Sequence, residues 1–568
     1  IGYQSMQDGN TNNGNTAMGY QAMKANTTGG ISVAIGYQAL VAQTTGSGNV
    51  AVGDRTLATL TTASNNTALG TQALRYNTTG VNNSAIGAYV LDANTTGAYN
   101  TGLGNNTLGA NTTGNYNVAI GNGSLTTAST ASSNTAVGHE ALANTTAGDN
   151  TAVGRAALNQ NTTGYSNVAV GMYALDANTT GNYNVATGYH ALSANTTANN
   201  NTALGANALK VNTTGTSNTA VGQNALDANT TASDNTAVGR LALTTNTTGA
   251  SNTAVGSSAL ASNTTGLNST AVGQAALTSN TTGSNTAVGK SALLLNTTGT
   301  TNTAVGDAAL RNNTADSNTA VGSNALGANT TGIQNTAVGY QALDAITTGT
   351  TSTAVGYQAL TASTASNNSA FGSTALATNS TGAQNSAFGH GALVTNSTGS
   401  DNSAFGYIAL YSNTTGGQNT AVGREALYLN TTASNNTAFG YRALFVNTTG
   451  TSNVAVGALA LDANTTGNNN VGLGKEALTA NTTGAQNIAI GGNALNANTT
   501  ASNNTAVGYL ALLTNTTGSE NTAVGKEALN TNNGSNNSAF GVTSMYANTT
   551  GAQNTAVGQS SLKANTTG

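Results

Sequence analysis

Few residues in this sequence could carry chemistry, and three histidines are the first of them. His139, His190 and His390 fall at the same corner of a repeated sequence unit, one or two residues after a glycine, and imidazole is a common ligand of transition metals. The closest two are three units apart. In a stack that rises about 4.8 Å per unit they would be about 14 Å apart, too far to share an ion. We therefore predict no metal site and no bound cofactor.

Five aspartates are the next candidates, because each directly follows the leucine of its unit. A calcium site needs several oxygen ligands from one or two neighbouring units, and these aspartates are widely separated. We interpret them as exposed acidic residues that lead into a turn: Asp92, Asp176, Asp227, Asp344 and Asp462.

The tripeptide Asn-Thr-Thr, which fits the N-glycosylation signal, occurs in most units, for example at Asn161, Asn178 and Asn229. These asparagines are possible glycosylation sites, and the alternative is that the turn itself requires asparagine. The scattered tyrosines could bind sugars or simply pack. No nucleophile–base pair and no unique pair of carboxylates is present, so we predict that the chain is not an enzyme.

All these residues belong to one repeat, which is marked by 34 glycines between Gly2 and Gly558, among them Gly154, Gly171, Gly222 and Gly423. Of the 33 intervals, 28 are 17 residues long and five are 16. Such a short, sustained period is typical of solenoids and fibres. We predict a single continuous array over residues 1–568 of about 33 repeats. It starts and ends within a repeat, so we expect a segment of a longer fibrous protein.

Composition narrows the possible partners. Charged residues are 5% of the chain, the net charge is −4, and cysteine, proline and tryptophan are absent. This net negative charge does not favour binding to nucleic acid. No apolar run approaches the roughly 20 residues of a membrane span, so we expect no membrane insertion in this segment.

Within one unit, the sequence predicts two short strands, near 151–153 and 156–158, joined at a bend at Gly154. Alternation would place Val153 and Leu158 on opposite faces. Both are the bulkiest residues of their unit, so we expect both to point inward, with the same assignment for Val221, Leu226, Val422 and Leu427. The Asn-Thr-Thr-Gly segment forms the return turn, stacks its asparagines in an amide ladder and supplies left-handed conformations. A helix is the competing interpretation, but Asn, Thr and Gly are poor helix formers.

The units resemble those of a known family. Ile31-Ser32-Val33-Ala34-Ile35-Gly36 and the many Asn-Thr-Ala-Val-Gly units are similar to the head repeats of YadA-like trimeric autotransporter adhesins. The Asn-Thr-Thr-Gly and Tyr-Gln-Ala-Leu variants resemble repeats of phage tail-fibre-type proteins. The repeat of the adhesin family is usually shorter than the units of this chain, which have a longer turn. The resemblance implies an all-β fold, a parallel β-solenoid or β-roll of 16–17-residue coils, assembled as a homotrimeric fibre.

We therefore expect a structural and adhesive fibre segment, a shaft or head that lies outside the cell, on a cell or virion surface. Its partner would be itself, as a homotrimer or as a filament of like subunits, with host-surface or matrix molecules as candidate ligands. Two alternatives stay open. One is a self-assembling extracellular filament or matrix protein, and the other is a monomeric solenoid that binds a regular lattice such as ice.

Overall fold

The computed structural model describes residues 2–8 and 11–568, which divide into two compact units, Ile1–Ser284 and Asn285–Gly568. Within the described residues the only regular secondary structure is a three-residue strand in each repeat, and no segment is helical.

In the first unit, each strand pairs in parallel with the strand of the following repeat, in register, as Val153 does with Val170. The unit has sixteen strands: β1 Thr16–Met18, β2 Val33–Ile35, β3 Val50–Val52, β4 Thr67–Leu69, β5 Ser84–Ile86, β6 Thr101–Leu103, β7 Val118–Ile120, β8 Thr135–Val137, β9 Thr151–Val153, β10 Val168–Val170, β11 Val185–Thr187, β12 Thr202–Leu204, β13 Thr219–Val221, β14 Thr236–Val238, β15 Thr253–Val255 and β16 Thr270–Val272.

The second unit repeats this arrangement with the same parallel, in-register pairing. It has seventeen strands: β17 Thr286–Val288, β18 Thr303–Val305, β19 Thr319–Val321, β20 Thr336–Val338, β21 Thr353–Val355, β22 Ser369–Phe371, β23 Ser386–Phe388, β24 Ser403–Phe405, β25 Thr420–Val422, β26 Thr437–Phe439, β27 Val454–Val456, β28 Val471–Leu473, β29 Ile488–Ile490, β30 Thr505–Val507, β31 Thr522–Val524, β32 Ser538–Phe540 and β33 Thr555–Val557. The prediction of a parallel β-solenoid with one coil for each sequence repeat is confirmed.

The strands alternate strictly, and this corrects the predicted core. The central alanine of a strand, such as Ala152, is fully buried, whereas Val153 beside it is 36% exposed. Val221 and Val422 are likewise only half-buried. The prediction that these valines point inward was wrong, because a three-residue strand cannot place neighbouring side chains on one face. Leu158, Leu226 and Leu427 are fully buried, as predicted.

The second predicted strand is also absent, because residues 156–158 form a turn. Ala156 has φ +54° and Leu158 φ +53°, and Ser166 in the same repeat has φ +55°. The left-handed residues therefore lie in this turn and at Ser166, shortly before the next strand, and not in the Asn-Thr-Thr-Gly segment. These conformations cost about 1–2 kcal/mol each for side chains other than glycine. They turn Leu158 into the core and allow its N–H to donate to Ala174 O of the next coil, at 3.0 Å.

The register glycines stack in a column at the corner that follows each strand. Gly154 has φ +136°, and a Cβ placed there would lie 2.6 Å from the backbone carbonyl atoms of Gly171. Gly222 and Gly423 have φ +130° and +131° and the same close neighbours one coil on. Only glycine fits this contact, which explains why the register is kept from repeat to repeat.

Two columns of asparagine fill the polar part of the core. The first asparagine ladder includes Asn161, Asn178 and Asn195, each fully buried. Asn178 Nδ2 donates to Asn161 Oδ1 at 2.8 Å and to Gly181 O at 3.0 Å, and Asn178 Oδ1 accepts from Asn195 Nδ2 at 2.9 Å. The predicted amide ladder is therefore present, and it replaces much of the apolar core that a narrow coil cannot supply.

The second asparagine ladder stands just before the strands and was not predicted. Asn167 Oδ1 accepts the backbone N–H of Asn184 at 2.9 Å, and Asn184 Nδ2 donates to Ala198 O at 2.8 Å. Both side chains are fully buried. In a coil that carries both asparagines, the buried amides therefore form hydrogen bonds with the coils on either side, as a solenoid requires.

Candidate functional site

The most variable side chains lie at the corner after each register glycine, where Arg155, Arg424 and Lys475 are exposed. The charges pair with their sequence neighbours: Arg424 Nε lies 3.0 Å from Glu425 Oε1, and Lys475 Nζ lies 3.3 Å from Glu476 Oε1. Exposed pairs of this kind contribute little to stability. The corner therefore provides a diverse surface without a fixed ionic site.

The three histidines lie at this corner in separate places. His139 lies beside Glu140, with Nδ1 3.7 Å from Oε2. His190 stacks on Tyr173 at 5.1 Å between ring centroids, and His390 stacks on Tyr407 at 5.5 Å. Among residues 2–8 and 11–568, no group of three or more His, Cys, Asp or Glu side chains could hold a metal ion.

The aspartates that follow the core leucines are half-buried, not exposed as we expected, and burial raises the pKa of all five. Nearby cations oppose the effect of burial at some of these aspartates: Lys210 lowers the pKa of Asp227, and Arg442 lowers that of Asp462. Asp344 has no such cation. A side chain whose charge is disfavoured and whose nearest equivalents lie several coils away is not part of a calcium site.

The possible glycosylation sites are inaccessible to solvent in the folded chain. Asn161, Asn178 and Asn229 are fully buried, and Asn229 Nδ2 donates to Asn212 Oδ1 at 2.8 Å and to Ala232 O at 3.0 Å. A glycan would have to be attached to that same nitrogen. The interpretation of these residues as glycosylation sites was therefore wrong for the folded solenoid, and the turn and its ladder explain why asparagine recurs.

The strongest surface feature is one that the sequence interpretation missed. We define the outer apolar column as the third residues of the strands. In the first unit fifteen of its sixteen members are Val, Ile, Leu or Met, with Thr187 as the exception, and in the second unit all seventeen are Val, Ile, Leu or Phe. The first residue of every strand also faces outward and is Thr, Ser, Val or Ile. Within the described strands this face is free of charge.

The size of this face is that of a protein interface. Fifteen steps of about 4.8 Å and strands about 10 Å wide give roughly 700 Å² in the first unit. A standard protein–protein interface buries about 800 Å² on each partner. The outer apolar column makes up about half of the strand face, and the Thr, Ser, Val and Ile of the first strand positions make up the rest. The strand alanines and the core leucines lie inside the single coil, so the outer apolar column is the apolar part of the strands that stays at the surface.

Aromatic side chains form a second kind of column. In the second unit, Phe371, Phe388 and Phe405 stack at 4.6 and 4.8 Å between ring centroids, with planes 9° and 6° apart. Tyrosines stack in the same way at the corners of several coils, as Tyr20 does on Tyr37 at 5.2 Å. Equal spacing of the coils imposes these stacks wherever neighbouring repeats carry an aromatic residue at the same position.

Comparison with protein-family models and with curated proteins gives no match for this chain. The class that the fold defines is a repeat protein, a parallel β-solenoid. No helix in the described residues is long and apolar enough to cross a membrane.

Proposed function

We propose that this chain is a structural and adhesive fibre segment that works outside the cell, on a cell or virion surface, as a homotrimer of like chains. The observation that carries the proposal is the outer apolar column, which runs through each unit without a charged residue. An apolar column that runs the length of a unit is costly in water and is covered at low cost by an identical face with the same coil spacing.

The repeated structure supports a mechanical role rather than a catalytic one. Each coil bonds its neighbours through backbone N–H groups and through both asparagine ladders, so a load along the stack is shared by many equal contacts. The corner side chains vary from coil to coil, which suits weak, multiple contacts with host-surface or matrix molecules.

The test is the mass of the full chain in solution, measured by analytical ultracentrifugation. The variant Val221→Lys, Val238→Lys and Val255→Lys places three charges on the outer apolar column. We expect the wild-type chain to sediment as a trimer and this variant to shift towards the monomer, with its β-sheet circular dichroism unchanged because these side chains lie outside the coil. A wild-type chain that is a well-folded monomer at micromolar concentration would reject the trimer.

The matched control places the same number of charges at the corners of two of these coils and of the coil that follows them. The variant Gln223→Lys, Ser257→Lys and Gln274→Lys adds three lysines at the corner, where Arg155 and Arg240 already occur. We expect it to keep the wild-type mass. Equal dissociation of both variants would show that added charge, not loss of the apolar contact, separates the chains.

Two other functions give different outcomes in the same experiment. A filament or matrix protein would sediment as a broad distribution of large species. A monomeric solenoid that binds ice would leave the strand face free in water, where its threonine hydroxyls and valine methyls form a regular grid. That solenoid would inhibit ice growth as a monomer, and the three valine-to-lysine changes would abolish the inhibition.

A further inference from the structure

Surface tyrosines of neighbouring coils lie one above the other in five places among the described residues. Their ring centroids are 5.1–5.6 Å apart, and the angles between their planes range from 9° to 19°. The pairs are Tyr3–Tyr20, Tyr20–Tyr37, Tyr99–Tyr116, Tyr340–Tyr357 and Tyr411–Tyr428.

The stacks are held by the solenoid and are still open to solvent. Tyr20 and Tyr37 are 40% and 44% exposed. Beside them, Gln38 Nε2 donates to Gln21 Oε1 at 3.1 Å, which keeps the corners of these two coils in register. Tyr20 and Tyr37 occupy equivalent positions of their coils, and their rings are 9° from parallel with centroids 5.2 Å apart, so each phenol faces the other. Exposed rings can also turn out of the stack on the nanosecond scale.

We propose that these stacked tyrosines are sites of oxidative coupling, at which a peroxide-dependent haem peroxidase joins adjacent coils through dityrosine bonds. Each phenol loses one electron and one proton and becomes a phenoxyl radical. The two radicals form one carbon–carbon bond between ortho carbons, and the ortho hydrogens move to the oxygens as the rings regain aromaticity. One hydrogen peroxide takes up the two electrons and two protons and becomes two waters.

Geometry favours coupling within a column over coupling between chains in dilute solution. The second ring is already about 5 Å away, whereas a ring on a separate molecule must first arrive by diffusion, and preorganised partners react with a large effective concentration. Each bond would link residues 17 positions apart, such as Tyr20 and Tyr37, and would close one coil covalently. The chain has no cysteine, so this chemistry would give it cross-links that disulfides cannot.

The sequence provides a direct readout for one pair. Trypsin cuts after Lys24 and Arg55, so Tyr20 lies in peptide 1–24 and Tyr37 is the only tyrosine of peptide 25–55. The full native chain, dilute and treated with horseradish peroxidase and limiting peroxide, should yield these two peptides joined, with loss of two hydrogens in mass. Fragmentation should place the bond at Tyr20 and Tyr37.

Three controls separate geometry from mere exposure. Tyr37→Phe keeps a stacked ring but removes the phenol, and should abolish the joined peptide. Tyr509 is 53% exposed and stacks on no aromatic ring of the described residues, so Tyr509→Phe should leave total dityrosine fluorescence unchanged. Coupling in denaturant should lose its preference for the 1–24 and 25–55 pair.

The result that overturns the proposal is equally specific. Absence of the joined peptide from the native chain, or its equal yield in denaturant, would show that the stack does not direct coupling. A mixture of unlabelled and ¹⁵N-labelled chains should give joined peptides carrying one label only. A majority of mixed-label products would assign the coupling to contacts between chains and contradict an intrachain bond.

Discussion

Exchange of one ladder asparagine for aspartate should open the solenoid locally. Asn178→Asp keeps the shape of the side chain but replaces its donating Nδ2 with a second acceptor. In the native ladder that nitrogen donates to Asn161 Oδ1 at 2.8 Å and to Gly181 O at 3.0 Å. In the variant Asn161 Oδ1 loses its donor in a site without solvent access, whereas Gly181 O loses one of two donors and keeps the bond from Asn167 Nδ2 at 2.8 Å.

The magnitude follows from these two bonds. A buried polar group left without its partner costs about 1–3 kcal/mol, which applies to Asn161 Oδ1, and the lost bond to Gly181 O adds about 0.5–1.5 kcal/mol, before any repulsion between the new carboxylate and its neighbours. The remaining acceptor still receives Asn195 Nδ2, which limits the loss on that side. Protonation of the carboxyl returns one donor, so the destabilisation should shrink at acid pH.

Hydrogen exchange measured by mass spectrometry is the suitable assay, because stability in a solenoid is local. Backbone amides of the coils around residue 178 should exchange about 10-fold or more faster than in the wild type, since about 1.4 kcal/mol corresponds to that factor. Coils several repeats away should keep their wild-type rates.

A matched variant makes the result decisive. Asn182→Asp changes the same atoms four residues later, but there Oδ1 only accepts the N–H of Tyr165, at 2.9 Å. Aspartate can do the same, as Asp316 does for the N–H of Thr300 at 2.6 Å. We expect near-native exchange for this variant. Equal exchange in the two variants would refute the assignment of stability to the ladder amide.

Two further predictions concern single side chains. Asp344→Asn should stabilise the fold at pH 7, because burial raises the pKa of Asp344. Because its pKa is raised in the folded state, Asp344 favours folding when it is protonated, at low pH, and this contribution is lost as the pH rises through the folded-state pKa. The stability gained by the exchange for asparagine should therefore vanish well below pH 3.8, the ordinary pKa of aspartate, in unfolding measurements. Ala128→Asn should stabilise its coil by about 1 kcal/mol, measured by hydrogen exchange, because Asn111 Oδ1 is buried without a partner and the new amide would donate to it.

Each of these has a control. Asp316→Asn should show no gain at pH 7, because its carboxylate accepts a backbone N–H and stands in the open turn. A gain equal to that of Asp344→Asn would contradict the role of burial. Ala128→Leu fills the same space without a donor, so a stabilisation equal to that of Ala128→Asn would assign the gain to packing instead of the hydrogen bond.

The repeat made the fold accessible from sequence, because a short, constant period with glycine in register leaves few architectures. The strand at 151–153 and the buried Leu158 were predicted on that basis. The direction of Val153 was not, because its bulk suggested the core, whereas two asparagines per coil occupy the space that a second large apolar side chain would need. Sequence alone gives no sign that an amide is buried.

The candidate surfaces were harder to predict for a related reason. The outer apolar column could be recognised only after Ala152 and Val153 had been assigned to opposite faces. The tyrosine stacks depend on spacing in three dimensions: Tyr20 and Tyr37 look scattered along the chain, yet they become neighbours because each repeat forms one coil. The left-handed conformation of Leu158 had no sequence signal, since leucine is not a residue that favours it.

The amide bonds of the first asparagine ladder run the same way throughout the steps that the structure describes. In each step the nitrogen belongs to the later coil and the oxygen to the earlier one, as from Asn195 to Asn178 and from Asn178 to Asn161. Backbone bonds between coils run in both directions, as those of Gly154 to Val137 and of Leu158 to Ala174 show, so their dipoles largely cancel. The side-chain dipoles add. A stack of such coils is therefore electrically polar along its axis, with its positive end towards the N-terminus, and anions and cations would collect at opposite ends.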